Sequence, residues 1–172
     1  LAKKRIVWLL VLMISATFTG GIINGFQEVL SSVVVLAAFI PMLMDTGGNC
    51  GSQSSTLVIR GLALGEIRPR DALRVLNKEL AVSLLCGAAL AAVNFGRILL
   101  FEPQTGAAVA LAVSLSLLVT VMVSKCLGGL LPIAAKAVHL DPAVMASPLI
   151  TTVVDAVSLL VYFGFARAIL GI

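Results

Sequence analysis

Pro41-Met42-Leu43-Met44-Asp45-Thr46-Gly47-Gly48-Asn49-Cys50-Gly51-Ser52-Gln53-Ser54-Ser55-Thr56 is the stretch on which the reading of this chain depends. It follows an apolar run from Val29 to Ile40, yet it carries a carboxylate, two amides, several glycines and a series of hydroxyls. Polar groups at membrane depth are costly and face a cavity, a partner helix or a transported solute. The stretch is therefore the first candidate for the working part of the molecule.

Composition places the whole chain in the bilayer. Hydrophobic residues make up 60% of the 172 residues and charged residues 12%, and the mean hydropathy is +1.13. A soluble domain carries about 25% charged residues, so this chain is expected to be all-α and polytopic. The length allows about five helices of ~20–25 residues. The net charge of +4 is no nucleic-acid signal, because the basic residues fall at membrane edges without interleaved aromatics. Cys50, Cys86 and Cys126 share no metal-ligand spacing and read as small buried residues.

Outward from the opening stretch, five spans are expected. The first runs from Ile6 to about Ile23, behind Lys3-Lys4-Arg5, and is too long for a signal-peptide core. The second runs from about Val29 to Leu64, interrupted or kinked around Pro41. Leu73, Leu76 and Leu80 mark one face of an interfacial lead-in to the third span, about Leu80 to Leu100. The fourth runs from about Ala107 to Ala135, and the fifth from about Ala143 to Leu170 behind Pro142. Lys3, Lys4, Arg5, Arg60, Arg68, Arg70, Arg74, Lys78 and Lys136 then share one side, against Arg97 and Arg167 on the other. The positive-inside rule places the N-terminus in the cytoplasm and the C-terminus outside.

Two of these spans carry polar stripes. In the second, Asp45, Asn49, Ser52, Gln53 and Thr56 fall on one helical face, beside a small-residue row of Gly47, Gly51 and Ser55. In the fifth, Ser147, Thr151, Asp155, Ser158 and Tyr162 form the second stripe. The hydroxyls alone are adequately explained as helix–helix contacts. The amides and carboxylates favour a water-lined path. Measured from Arg60, Asn49 lies about 16 Å and Asp45 about 22 Å into the membrane; measured from Asp141, Asp155 lies about 21 Å in. The polar features of both spans thus meet near the midplane.

Oxygen-rich side chains without a histidine or thiolate cluster suit a hard cation. One chain supplies few acids at this depth, so a twofold axis through the site, and hence a homodimer with the pore at or near its interface, is expected. Mg²⁺ releases water reluctantly, which favours a wide site for the hydrated ion. Lys125 is expected to point away from the pore, snorkelling toward the interface or pairing with an acid such as Asp45 or Asp155. His139 reads as a solvated loop residue.

At this point the motifs resemble a known family. Pro41 to Gln53, followed by Arg60-Gly61-Leu62-Ala63-Leu64-Gly65-Glu66, is similar to the signature of MgtE-type magnesium channels. Asp141-Pro142-Ala143 and Ser147-Pro148-Leu149-Ile150-Thr151-Thr152-Val153-Val154-Asp155 resemble the last helix of that family. The resemblance covers essentially the whole chain and implies a five-helix, dimeric domain with a pore lined by the second and fifth helices. It implies hydrated Mg²⁺ at Asp155, near the backbone of Thr151, with Asp141 toward the cytoplasmic mouth. Asp45 and Asn49 complete the expected metal-facing set. Residues 1–172 read as a single transmembrane domain, excised or naturally minimal, because the family's cytosolic N-terminal and CBS regulatory domains are not within them. The expected setting is a bacterial inner (plasma) membrane, with lipid, divalent cations and a second copy as partners and no nucleic acid.

The function expected is a passive Mg²⁺ channel. A proton- or sodium-coupled secondary transporter is the alternative, and a non-conducting membrane subunit is a third reading. No nucleophile with a base, acid–base pair or metal cluster points to an enzyme.

Overall fold

A computed structural model describes the backbone of residues 2–172, and the side chains of all these except 2–5, 7, 8 and 143–149. Every regular element among the described residues is helical. The chain forms α1 (Ala2–Gly25), α2 (Gln27–Ser32), a 3₁₀ segment (Val34–Phe39), α3 (Ile40–Ala63), α4 (Ala72–Phe101), α5 (Ala107–Ala137) and α6 (Pro142–Leu170). Short 3₁₀ turns at Pro69–Asp71 and Pro103–Thr105 lead into and out of α4.

Four stretches among the described residues are long and apolar enough to cross a membrane: Val34–Ala63, Pro69–Phe101, Ala107–Ala137 and Ile150–Leu170. Leu9–Gly25 is the continuous apolar part of α1 (Ala2–Gly25) among the residues whose side chains are described, and the first expected span begins ahead of it, at Ile6.

The second span breaks earlier than its proline suggests. The backbone leaves the α-helix at Val33 (φ −137°, ψ 81°) and passes through 3₁₀ geometry before α3 begins at Ile40. Val33-Val34-Val35 is a run of β-branched residues with restricted helical rotamers. Pro41 instead sits in the first turn of α3, where its missing N–H removes no helical hydrogen bond. The irregular segment is held by Tyr162 of α6, whose hydroxyl donates to the Leu36 carbonyl at 2.8 Å.

Around α5 the bundle closes, with α3, α4 and α6 all packed against it and α1 laid on α6. The closest approach is between α3 and α5. A Cβ added at Gly128 would run into the Gly51 carbonyl oxygen, so the two backbones touch.

The lead-in to α4 turns two leucines of its apolar face away from the bundle. Leu73 and Leu80 are exposed, and the buried face is Val75, Glu79, Ser83, Gly87, Ala91, Asn94 and Ile98. Small and polar residues turn inward where they permit close packing or hydrogen bonds, and leucines turn outward because lipid is as apolar as they are. Ser54 of α3 donates to buried Glu79 at 2.6 Å, and Asn94 donates to Ser114 of α5 at 3.2 Å. Cys86 is exposed on the same outer surface, unlike buried Cys50 and half-buried Cys126.

Candidate functional site

The α3 stripe is divided by its packing. Gly47, Gly51 and Ser55 are buried against the bundle. A Cβ at Gly47 would come within 2.8 Å of Val154 and 3.0 Å of Thr120, and one at Gly51 within 2.7 Å of Ile150. This seats α3 tightly on α5 and α6. Asp45, Asn49, Gln53 and Thr56 are turned away and exposed on the protomer surface. Asn49, Ser52, Gln53, Thr56 and Leu57 line an open groove of about 690 Å³.

The α6 stripe follows a different course. Thr151 and Asp155 are half-buried and line a second cavity of about 320 Å³, with Thr152, with Met44 of α3 and with one face of α1. That α1 face consists of Leu12, Ser15, Ala16, Thr19, Gly20 and Ile23. Ser158 and Tyr162, one and two turns beyond Asp155, are buried in the core instead, and Tyr162 is spent on the Leu36 carbonyl. They line no path. The side chain of Ser147 lies outside the described residues.

α3 and α6 run antiparallel, and a Cβ at Gly48 would sit 3.8 Å from Thr151. Asp45 lies three residues from this contact and Asp155 four, both in the same direction along the bundle. At a rise of 1.5 Å per residue these are about 4.5 and about 6 Å. The two carboxylates therefore stand at nearly one height, as the sequence spacing predicts.

Five residues were expected to face the cation, and one protomer does not gather them. Thr151 and Asp155 share the smaller cavity. Asn49 lines the open groove on α3. Asp45 is exposed and borders neither space, and Asp141 is exposed at the start of α6. Among the described residues no three His, Cys, Asp or Glu side chains converge on a common point. Asp155 is the carboxylate in the smaller cavity, and no hydrogen bond or ion pair reaches it among the described residues.

Lys125 is buried in α5 at 8% exposure and borders neither space. The expected pairing with Asp45 or Asp155 does not form. The ion pair among the described residues joins Arg97 to Glu102 at 2.7 Å, at the α4–α5 end of the bundle. His139 is exposed in the turn before α6, where it adopts a positive φ of 61°.

Sequence reasoning missed the α1 contribution. Ser15 donates to Thr152 at 2.6 Å across the α1–α6 seam, and Thr19, one turn on, is 9% exposed and borders the same cavity as Asp155. The available signal was Ser15-Ala16 and Thr19-Gly20, a pair of hydroxyls and small residues spaced by one turn.

Comparison with known proteins agrees with the motifs. Residues 40–165 match the profile of the MgtE family, described as divalent cation transporters. The chain is 37% identical over 171 residues to the magnesium transporter MgtE of Thermus thermophilus, covering 96% of this chain and 36% of that protein. It is 36% identical over 167 residues to the magnesium transporter MgtE of Bacillus subtilis, covering 97% of this chain and 37% of that protein. A third magnesium transporter MgtE, from Enterococcus faecalis, is 29% identical over 165 residues. The chain spans just over a third of the length of these relatives. With its whole helical bundle matched and its polar motifs inside the matched region, the chain belongs to the MgtE family of divalent cation transporters.

Proposed function

We propose that two copies of this bundle form a Mg²⁺ channel, with the polar face of α3 and the Thr151–Asp155 segment of α6 lining the pore. The observation that carries this reading is Asp155: a carboxylate with no protein partner among the described residues, in a cavity, on a helix otherwise apolar at that depth. A charge there costs about 2.5–3.5 kcal/mol on insertion scales, a cost that a divalent cation offsets when it occupies the site.

The dimer follows from what one protomer leaves open. Asp45, Asn49, Gln53 and Thr56 stand exposed along a helix that is otherwise apolar enough to span the bilayer. Thr56 satisfies its hydroxyl on the Ser52 carbonyl at 2.8 Å, but Asp45, Asn49 and Gln53 facing lipid would have no hydrogen-bonding partner. Facing their equivalents across a twofold axis, they enclose water and double the number of oxygen ligands. The cation is held hydrated, near Asp155 and the backbone of Thr151, while Asp141 draws cations at the cytoplasmic mouth.

In this reading the α3–α4 turn faces the cytoplasm across a bacterial inner membrane, an orientation that its basic residues support through the positive-inside rule. The membrane potential then drives entry, at roughly 4.6 kcal/mol per 100 mV for a double charge.

The test is Mg²⁺ uptake by liposomes containing the purified chain, under an imposed potential and with no Na⁺ or proton gradient. Uptake is expected from the wild type and is lost in Asp155→Asn, with the oligomeric state unchanged. Undiminished flux in that variant sinks the proposal.

A further inference from the structure

We infer that α1 supplies the wall opposite Asp155, with Thr19 and Ser15 presenting hydroxyls to the hydration shell of a divalent cation. This rests on the reading of Asp155 as the cation-facing acid and extends it to a helix outside the two polar stripes.

Thr19 carries the argument. It is 9% exposed, yet its hydroxyl has no hydrogen-bond partner among the described residues. A threonine in a helix ordinarily satisfies itself on the carbonyl one turn back. Thr17, two residues away, does so with Met13 at 3.3 Å. Thr19 instead borders the cavity shared with Asp155, Thr151 and Thr152. An unpaired hydroxyl on a residue nine-tenths buried is costly unless water or a ligand in the adjoining cavity meets it. Ser15, one turn earlier on the same face, donates to Thr152 at 2.6 Å and keeps its lone pairs for a further donor.

The size of the space fits a hydrated ion better than a bare one. Its volume is about 320 Å³. Six waters at about 30 Å³ each occupy about 180 Å³. A dehydrated Mg²⁺ needs oxygens on all sides at about 2.0–2.1 Å, and one carboxylate among four hydroxyl-bearing residues cannot close around it. Waters bridging the ion to Asp155 on one side and to Thr19 and Ser15 on the other can. The hydroxyls accept from water that the cation polarises, so they favour ions that retain their shell.

The experiment uses the full chain in liposomes, with Mg²⁺ uptake measured against Mg²⁺ concentration and against competing Ca²⁺. Thr19→Val keeps the shape and removes the hydroxyl. It is expected to raise the half-saturating Mg²⁺ about fivefold, the worth of one ordinary hydrogen bond, and to weaken discrimination against Ca²⁺. Thr19→Ser is expected to restore both. Ser15→Ala, which adds no volume, should shift both in the same direction if valine disturbs the α1–α6 seam. Stabilisation of the detergent-solubilised protein by Mg²⁺ against heating should need correspondingly more Mg²⁺ in Thr19→Val. Wild-type half-saturation and selectivity in both Thr19→Val and Ser15→Ala overturn the inference about α1, while leaving Asp155 in place if Asp155→Asn is inactive. Full activity of Asp155→Asn overturns both.

Discussion

α3 and α6 carry polar stripes of the same helical period, and the protomer treats them in opposite ways. On α6 the stripe turns inward: Ser158 and Tyr162 are buried, and only the Thr151–Asp155 part borders a cavity. On α3 the glycines turn inward and the amides, carboxylate and threonine remain on the surface. Periodicity identifies a stripe in both helices, but what the stripe does depends on which neighbour covers it. A stripe that finds protein partners is a fastening between helices. A stripe left without them, at membrane depth, requires water or a second copy.

The contrast is sharpest where it rests on backbone contact. If α3 is oriented by its glycine row, adding volume to that row should do more damage than any change on the polar face. Gly128→Val forces a side chain into the Gly51 carbonyl and separates α3 from α5. Overpacking of this kind costs about 1–3 kcal/mol, and backbone against backbone leaves little room to relax, so the upper end is expected. The detergent-solubilised protein should melt at a clearly lower temperature. Gly96→Ala, where an added Cβ meets nothing within 4 Å, is the matched control and should melt like the wild type. Equal melting of the two would remove the glycine seam as the reason for the α3 orientation.

Much of this arrangement was legible in the residues. The α3 stripe showed because its polar positions repeat with helical spacing, and Asp155 because a carboxylate stands out among Val153, Val154, Ala156 and Val157. Their common height followed from the rise per residue. What escaped had physical causes. A proline that opens a helix and one that kinks a helix look alike in sequence, so the break was placed at Pro41 rather than at Val33–Phe39. Leu73, Leu76 and Leu80 showed as one face of the lead-in, but periodicity does not say whether a face meets protein or lipid; here the small and polar residues pack inward and Leu73 and Leu80 stay exposed. Ser15 meets Thr152 across 137 residues, and no local pattern on α1 announces a partner so distant.

A finer pair of substitutions tests the division itself, one on each stripe. Tyr162→Phe removes the hydroxyl that holds Leu36 but keeps the ring beside Phe163, whose centroid lies 5.5 Å away. Hydrogen bonds between membrane helices average about 0.6 kcal/mol, and a buried carbonyl left without its donor adds to that. A loss of about 1 kcal/mol in thermal stability is expected, with Mg²⁺ flux per folded protein unchanged. Gln53→Leu on the exposed face of α3 should reverse the pattern. It removes an amide that touches no hydrogen-bonding partner among the described residues and lines the open groove, so melting is preserved while flux falls severalfold. If Tyr162→Phe lowered flux as much as Gln53→Leu, the buried end of the α6 stripe would belong to the path after all. Tyr162 lies where α6 meets the broken segment ahead of α3, so that result would mean the break transmits its geometry to the pore rather than merely ending a helix.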